Sequence, residues 1–303
     1  MTRWYEHRFH NTTALRMIFF IMPRLPRFLH PPVAALTALI FFLMLKRERR
    51  AVTGNLRRVS GKRGLALQWK VYRVFYSFCD LMVSYCFVPH ATHSELLGML
   101  MDAEDGGAQI DQCLAAGNGL IVWTAHLGNW EFASRLLAMH GRVNVARVVE
   151  DKPAEIMLRN MMASERLRTV DLKEGVPATI ELLQALRRNE IVAIQGDRVY
   201  QRRTFDVPFF SQPTSFPLGP FMLSQVSGAP VLPVFVIRRG WLRYNVLMGD
   251  PIAVVPSRVA CGHDDAVLYE AMCQAVRFLE KTLATHYDQW MNYFDFWPVA
   301  SRD

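Results

Sequence analysis

From Gly119 onward, short apolar runs alternate with segments of helical periodicity, and this alternation limits the chain to a sheet with helices packed on its faces. Strands are expected at 120–124, 143–148, 191–195, 231–238 and 242–248, and helices at 130–139, 154–167, 177–188, 217–226 and 264–286. In the last helix Leu268, Met272, Ala275, Val276, Leu279 and Leu283 fall on one face, the stripe that a sheet would cover. The expected fold class is α/β, a mixed sheet flanked by helices and preceded by a helical, membrane-associated segment. The 303 residues are enough for one large domain or two modest ones.

The preceding segment differs in charge. Met1 to Arg73 carries 15 Lys+Arg against 2 Asp+Glu, whereas the remaining 230 residues carry 20 against 25. A basic segment on a mildly acidic body is drawn to an anionic surface, either lipid headgroups or nucleic acid. The apolar runs 14–22, broken only by Arg16, and 33–45 decide for lipid, because a nucleic-acid face would interleave stacking aromatics with its basic residues. As a helix, the 13 residues of the second run reach only about 20 Å, short of a full bilayer. Arg24 and Arg27 precede it and Lys46, Arg47, Arg49 and Arg50 follow, so neither flank is marked for translocation. The reading is an interfacial or shallowly inserted anchor over 1–50. The alternatives are a single short span or two core helices. The run begins late and no small-residue cleavage site follows, so a cleaved signal peptide is not expected. The domain proper is expected at 51–303, with a helical lead-in at 51–117 and the α/β core at 118–303. The five cysteines, Cys79, Cys86, Cys113, Cys261 and Cys273, form no CxxC pair and are expected as free thiols in a reducing compartment. HExxH is absent and the histidines are scattered, so no metal site is expected.

The chemistry concentrates after the first strand, in Trp123-Thr124-Ala125-His126-Leu127-Gly128-Asn129-Trp130-Glu131-Phe132. A buried strand would deliver His126 to the carboxyl edge of the sheet, where catalytic groups gather. Gly128 permits a sharp turn, Asn129 can cap a helix starting at Trp130, and Glu131 lies in its first turn, where the helix dipole favours a carboxylate. A carboxylate on one ring nitrogen would leave the other as a base able to activate a substrate hydroxyl, with no nucleophilic Ser or Cys required. The alternative for such a His and Glu is a structural pair. A second constellation, Gln195-Gly196-Asp197-Arg198, follows another apolar strand. Arg198 could grip a phosphate or carboxylate with Asp197 setting its fork, or the two could form a plain ion pair at a strand end. The segment 202–220, with Val207-Pro208-Phe209-Phe210 and Phe216-Pro217-Leu218-Gly219-Pro220, reads as an apolar loop that lines an acyl pocket or packs the sheet edge.

Together, His126-x4-Glu131 within HLGNWE, Gly196-Asp197-Arg198 followed by VPFF-x5-FPLGP, and Gly228-Ala229-Pro230-Val231-Leu232-Pro233-Val234-Phe235 resemble the bacterial lipid A biosynthesis acyltransferases of the lauroyl/myristoyl type. These lie within the lysophospholipid acyltransferase superfamily. The C-terminal Gln289-Trp290-Met291-Asn292-Tyr293-Phe294-Asp295-Phe296-Trp297 is also similar to a subgroup associated with aryl polyene-type lipids. The resemblance implies an O-acyltransferase at the cytoplasmic face of the cell inner membrane. It would move a fatty acyl chain from a thioester, on acyl carrier protein or CoA, to a hydroxyl of a lipid or glycolipid. By that match His126 is the general base and Glu131 its partner. Arg198, with Asp197, Asn129 and Gly128, would lie on the substrate side. No cofactor is implied beyond the thioester co-substrate. A membrane-bound ester or thioester hydrolase using the same His–Glu pair is the alternative.

Overall fold

The computed structural model describes residues 12–101, 106–150, 152–200, 203–255 and 266–297. The chain forms two compact units, one built from the described parts of Met1–His90, Lys152–Met161 and Thr282–Asp303, the other from those of Ala91–Asp151 and Met162–Lys281.

The first unit is helical. It holds α1 (Thr12–Ile21), α2 (His30–Met44), α3 (Lys46–Ser60) and α4 (Gly64–Ser84). Helix α2 packs on α4 through its small residues: Ala34 and Ala38 are buried, the Tyr72 hydroxyl donates to the Ala35 carbonyl at 3.0 Å, and Phe42 meets Tyr72 and Phe75 edge-on. Its large apolar side chains face outward, with Leu36 61% and Met44 73% exposed and Leu39, Ile40 and Leu43 alongside. A helix that buries alanines and exposes leucines is inverted relative to the usual amphipathic plan, so water is a poor solvent for its outer face. Two segments among the described residues are long and apolar enough to cross a membrane, Arg27–Met44 and the mostly buried Gly64–His90. The buried Asn55 of α3 ties down the C-terminal aromatic segment. Its Nδ2 donates to the carbonyls of Asn292 and Phe294 at 3.1 and 2.8 Å, and its Oδ1 accepts from the Phe296 N–H at 3.0 Å.

The second unit carries the sheet. In chain order it contains α5 (His93–Gly98), α6 (Gly106–Ala115), β1 (Leu120–Thr124), α7 (Trp130–Leu137), β2 (Val143–Arg147), then, after α8 (Pro153–Met162), which belongs almost wholly to the first unit, β3 (Leu167–Asp171), α9 (Val176–Arg187), β4 (Ile191–Gln195), β5 (Thr204–Phe209), β6 (Gln212–Pro217), α10 (Gly219–Ser227), β7 (Val231–Gly240), β8 (Arg243–Met248) and α11 (Ala266–His286) as far as Lys281. Six strands form one sheet in the order β3-β2-β4-β1-β7-β8, parallel except for β8, which runs antiparallel to β7. The mixed α/β architecture is the expected one. All five residues of β1 are buried, the signature of a parallel strand covered on both faces and the reason it reads as an unbroken apolar run.

Two segments depart from expectation. The helix expected over 154–167 stops at Met162, and Leu167–Asp171 forms the edge strand β3. Of its five residues only Val170 is buried, so its sequence carries little apolar signal. The loop expected across 202–220 is largely a hairpin, β5 and β6, in which Pro208 and Pro213 face one another. A two-stranded ribbon tolerates prolines that a central strand would exclude. Its turn residues Phe210 and Ser211 both have positive φ, 49° and 61°, as a type I′ turn requires. The four cysteines among the described residues are free and buried, and Cys261 lies outside those residues.

Candidate active site

The register of the parallel strands assembles the site. Thr124 at the end of β1 pairs with Gln195 at the end of β4, and the Gly196 N–H continues the ladder to the Thr124 carbonyl at 2.8 Å. The second residue past each strand, His126 and Asp197, is thereby brought side by side at the carboxyl edge. A single oxygen of Asp197, Oδ1, accepts from the His126 main-chain N–H at 3.1 Å and from its Nδ1 at 2.7 Å. Because that oxygen already acts as an acceptor, the neutral ring carries its proton on Nδ1 and has Nε2 as its basic nitrogen. Both groups are buried.

Two glycines make the edge this tight. A Cβ on Gly128, at φ +66°, would lie 1.9 Å from the Val236 carbonyl oxygen, and one on Gly196 would lie 1.8 Å from Trp123 Nε1. The turn at Gly128 runs so close to β7 that the Asn129 N–H donates to the same Val236 oxygen at 2.8 Å. Asn129 then caps α7, its Oδ1 accepting from the Phe132 N–H at 3.0 Å. Trp130 follows and sets its ring edge-on to His126, centroids 5.4 Å apart.

The imidazole is held by a carboxylate other than the one expected there. Asp197, read as the group orienting Arg198, is the partner of the imidazole. Glu131, read as that partner, is met by Arg147 Nη2 at 3.4 Å. The reason is the register: the β4 extension lies level with His126, a placement set by a strand pairing 71 residues away in sequence. Asn129 and Gly128, expected on the substrate side, belong to the frame of the turn. Arg198 is buried near His126, and Arg147, which the sequence reading missed, ends β2 at the same edge. A charged residue closing the run Val143–Arg147 was the signal that could have marked it. His126 is pushed down to about 4, first by burial and then by the positive charge of Arg198, with Asp197 opposing and Arg147 adding to the depression.

An apolar cavity of about 350 Å³ lies beside α7, walled by Leu97, Leu100, Leu137, Val234, Val246 and Met248. A narrower hollow of about 30 Å³ reaches Glu131, Arg147 and Gln195, and Ala133, Leu137 and Val234 wall both. Among the described residues no group of three or more His, Cys, Asp or Glu side chains is placed to hold a metal ion.

Phosphatidylinositol mannoside acyltransferases of Mycobacterium tuberculosis, strains CDC 1551 / Oshkosh and ATCC 25618 / H37Rv, are each 28% identical to this chain over 208 residues. That match covers 67% of this chain and 62% of each relative, so the chain spans about three fifths of their length. The protein of the same name from Mycolicibacterium smegmatis is 28% identical over 124 residues, 40% of this chain and 41% of that one. The model of bacterial lipid A biosynthesis acyltransferases matches residues 8–297, which takes in HLGNWE, the Gly196–Arg198 turn and the C-terminal aromatic segment. The chain belongs to the bacterial lipid A biosynthesis acyltransferase family.

Proposed function

We propose that this protein is a membrane-associated O-acyltransferase that moves a fatty acyl chain from an acyl thioester, on acyl carrier protein or CoA, to a hydroxyl of a glycolipid at the cytoplasmic face of the cell inner membrane. The observation that carries the reading is the His126–Asp197 pair at the carboxyl edge of the sheet, and an apolar cavity of about 350 Å³ beside α7 in the same unit supports it. In this mechanism Nε2 of His126 takes the proton of the acceptor hydroxyl as its oxygen attacks the thioester carbonyl. Asp197 stabilises the imidazolium that forms, and the same proton then passes to the departing thiolate. Because burial and the neighbouring cations disfavour the imidazolium, His126 is neutral and ready to accept a proton at physiological pH. Glu131 and Arg147 brace the first turn of α7 against the end of β2, and Arg198 offers a planar cation to an anionic group of a substrate. The cavity would take the acyl chain. The family and the named relatives both point to sugar-bearing lipids as the acceptor class. The outward apolar face of α2 and the basic residues around it supply the membrane contact.

The test is transfer by the purified protein from a radiolabelled acyl thioester to a glycolipid, with the product identified by mass spectrometry. His126→Ala should lower the rate by about 10²–10⁴-fold. Asp197→Asn should lose much of the same factor, and the double variant should fall far short of the product of the two losses, because the pair acts as a unit. Release of free fatty acid without acceptor, at the rate seen with it, would make the protein a hydrolase instead. Full transfer by folded His126→Ala would remove the base assignment.

A further inference from the structure

We propose that Tyr244, on a strand remote in sequence from the catalytic turn, is a positioning residue that holds the Asn129 side chain in the place needed to cap α7, and so keeps Trp130 against His126 and Glu131 on Arg147. The inference rests on His126 being the base.

The Asn129 amide has an acceptor end and a donor end, and the structure uses both. Its Oδ1 accepts from the Phe132 N–H and its Nδ2 donates to the Tyr244 hydroxyl oxygen, each at 3.0 Å. Asn129 is 2% exposed and Tyr244 0% exposed, so neither end can exchange its partner for bulk water. An amide turned by half a revolution would set Nδ2 against the Phe132 N–H, donor against donor, and the cap would be lost. The Phe132 N–H thus sets the sense of the amide, and the Tyr244 hydroxyl, bonded to its other end, fixes its place.

The hydroxyl is itself held fast. On one side β8 pairs Tyr244 with Arg238 of β7. On the other, the Tyr244 N–H donates to the Met99 carbonyl and its carbonyl accepts from the Met101 N–H, both at 2.9 Å. Its ring stacks on Phe132 with centroids 4.5 Å apart. Tyr244 therefore reads the first turn of α7 twice, at the cap and at the ring of the capped residue. One residue further on, that turn delivers Trp130 edge-on to His126, and two further on Glu131, which meets Arg147.

The experiment compares Tyr244→Phe, Asn129→Ser and the double variant. Phenylalanine keeps the ring stack and removes only the hydroxyl, while serine caps a helix through its own hydroxyl and has no amide for Tyr244 to hold. Tyr244→Phe is expected to lower kcat about tenfold, with the KM of donor and acceptor changed by less than about twofold, the mark of lost positioning rather than lost binding. It should also speed amide hydrogen exchange over residues 130–137, a readout that needs no turnover. In the Asn129→Ser background the same substitution should change neither kcat nor exchange, because the amide through which Tyr244 acts is gone. Wild-type kcat in Tyr244→Phe would overturn the proposal. So would an equal loss in both backgrounds, which would assign Tyr244 to packing alone. If His126→Ala proved as active as the parent while the exchange results held, the base assignment would fail and the Asn129–Tyr244 coupling would stand as a structural cap.

Discussion

A histidine is useful as a base only if it is neutral when substrate arrives, and three neighbours decide that for His126. Burial and the charges of Arg198 and Arg147 favour the neutral ring, Asp197 favours the imidazolium, and the balance lies at about 4. The acid limb of kcat/KM should therefore lie near pH 4 rather than near the ordinary histidine value of about 6.5. Arg198→Gln removes a cation and should move that limb upward, which a pH–rate profile would read directly. The same depression has a stability consequence. Between pH about 6.5 and about 4 the unfolded chain binds a proton at this position that the folded chain refuses. The stability linked to the neutral ring is thus complete above the unfolded value and is lost as pH falls through the folded one. Thermal melts of His126→Asn should show a shallower loss across that window than the parent. An equal slope would mean that other groups dominate acid unfolding.

At the scale of elements, helix α7 divides two kinds of space. Its first turn meets the polar edge with Trp130 and Glu131, and its inner face, through Ala133 and Leu137, walls the apolar cavity together with β7 and β8. Met248 of β8 stands against Gly106 of α6, where even an added Cβ would come within 2.7 Å of its terminal methyl. That contact makes Met248 a natural limit to the cavity. Met248→Trp should shorten the preferred acyl chain. Excluding two methylenes costs about 1.6 kcal/mol, so kcat/KM for the longest chains should fall about tenfold while the shortest are used as before. Competition among acyl thioesters of graded length measures this. An unchanged length profile would place the chain elsewhere.

At the scale of the whole molecule, the outer face of α2 departs from the surface of an ordinary soluble protein by its row of exposed leucines and isoleucine. Helix α2 is held to α4 by Ala34, Ala38 and Tyr72, none of which lies on that face, so the outer residues can be changed without touching the packing. Leu36→Gln, Leu39→Gln, Ile40→Gln and Leu43→Gln together should release the protein from anionic vesicles with the melting temperature kept. High salt applied to the parent should not, because apolar insertion is not screened. Release of the parent by salt alone would make the contact electrostatic, with the basic residues of the N-terminal segment as its origin.

What the sequence determined by itself is local or periodic. Apolar runs closed by one polar residue, Thr124 and Gln195, marked β1 and β4 to the residue, since a parallel strand covered on both faces reads as a continuous apolar stretch. His126, Gly128 and Asn129 declared a strand, a tight turn and a capped helix because each of those features is built from neighbours in the chain. Tertiary structure decided whatever depended on pairing between distant segments. The edge strand β3 and the proline-bearing hairpin carry too little periodicity to be read alone, and their partners define them. The choice between Glu131 and Asp197 as partner of the imidazole is of the same kind. Glu131 is five residues from His126 and Asp197 is 71, yet the parallel register of β1 and β4 makes the distant one the neighbour. A helix turn fixes which side chains share a face, but only the sheet fixes which strand ends meet. The His126–Asp197 pair is made at such a meeting.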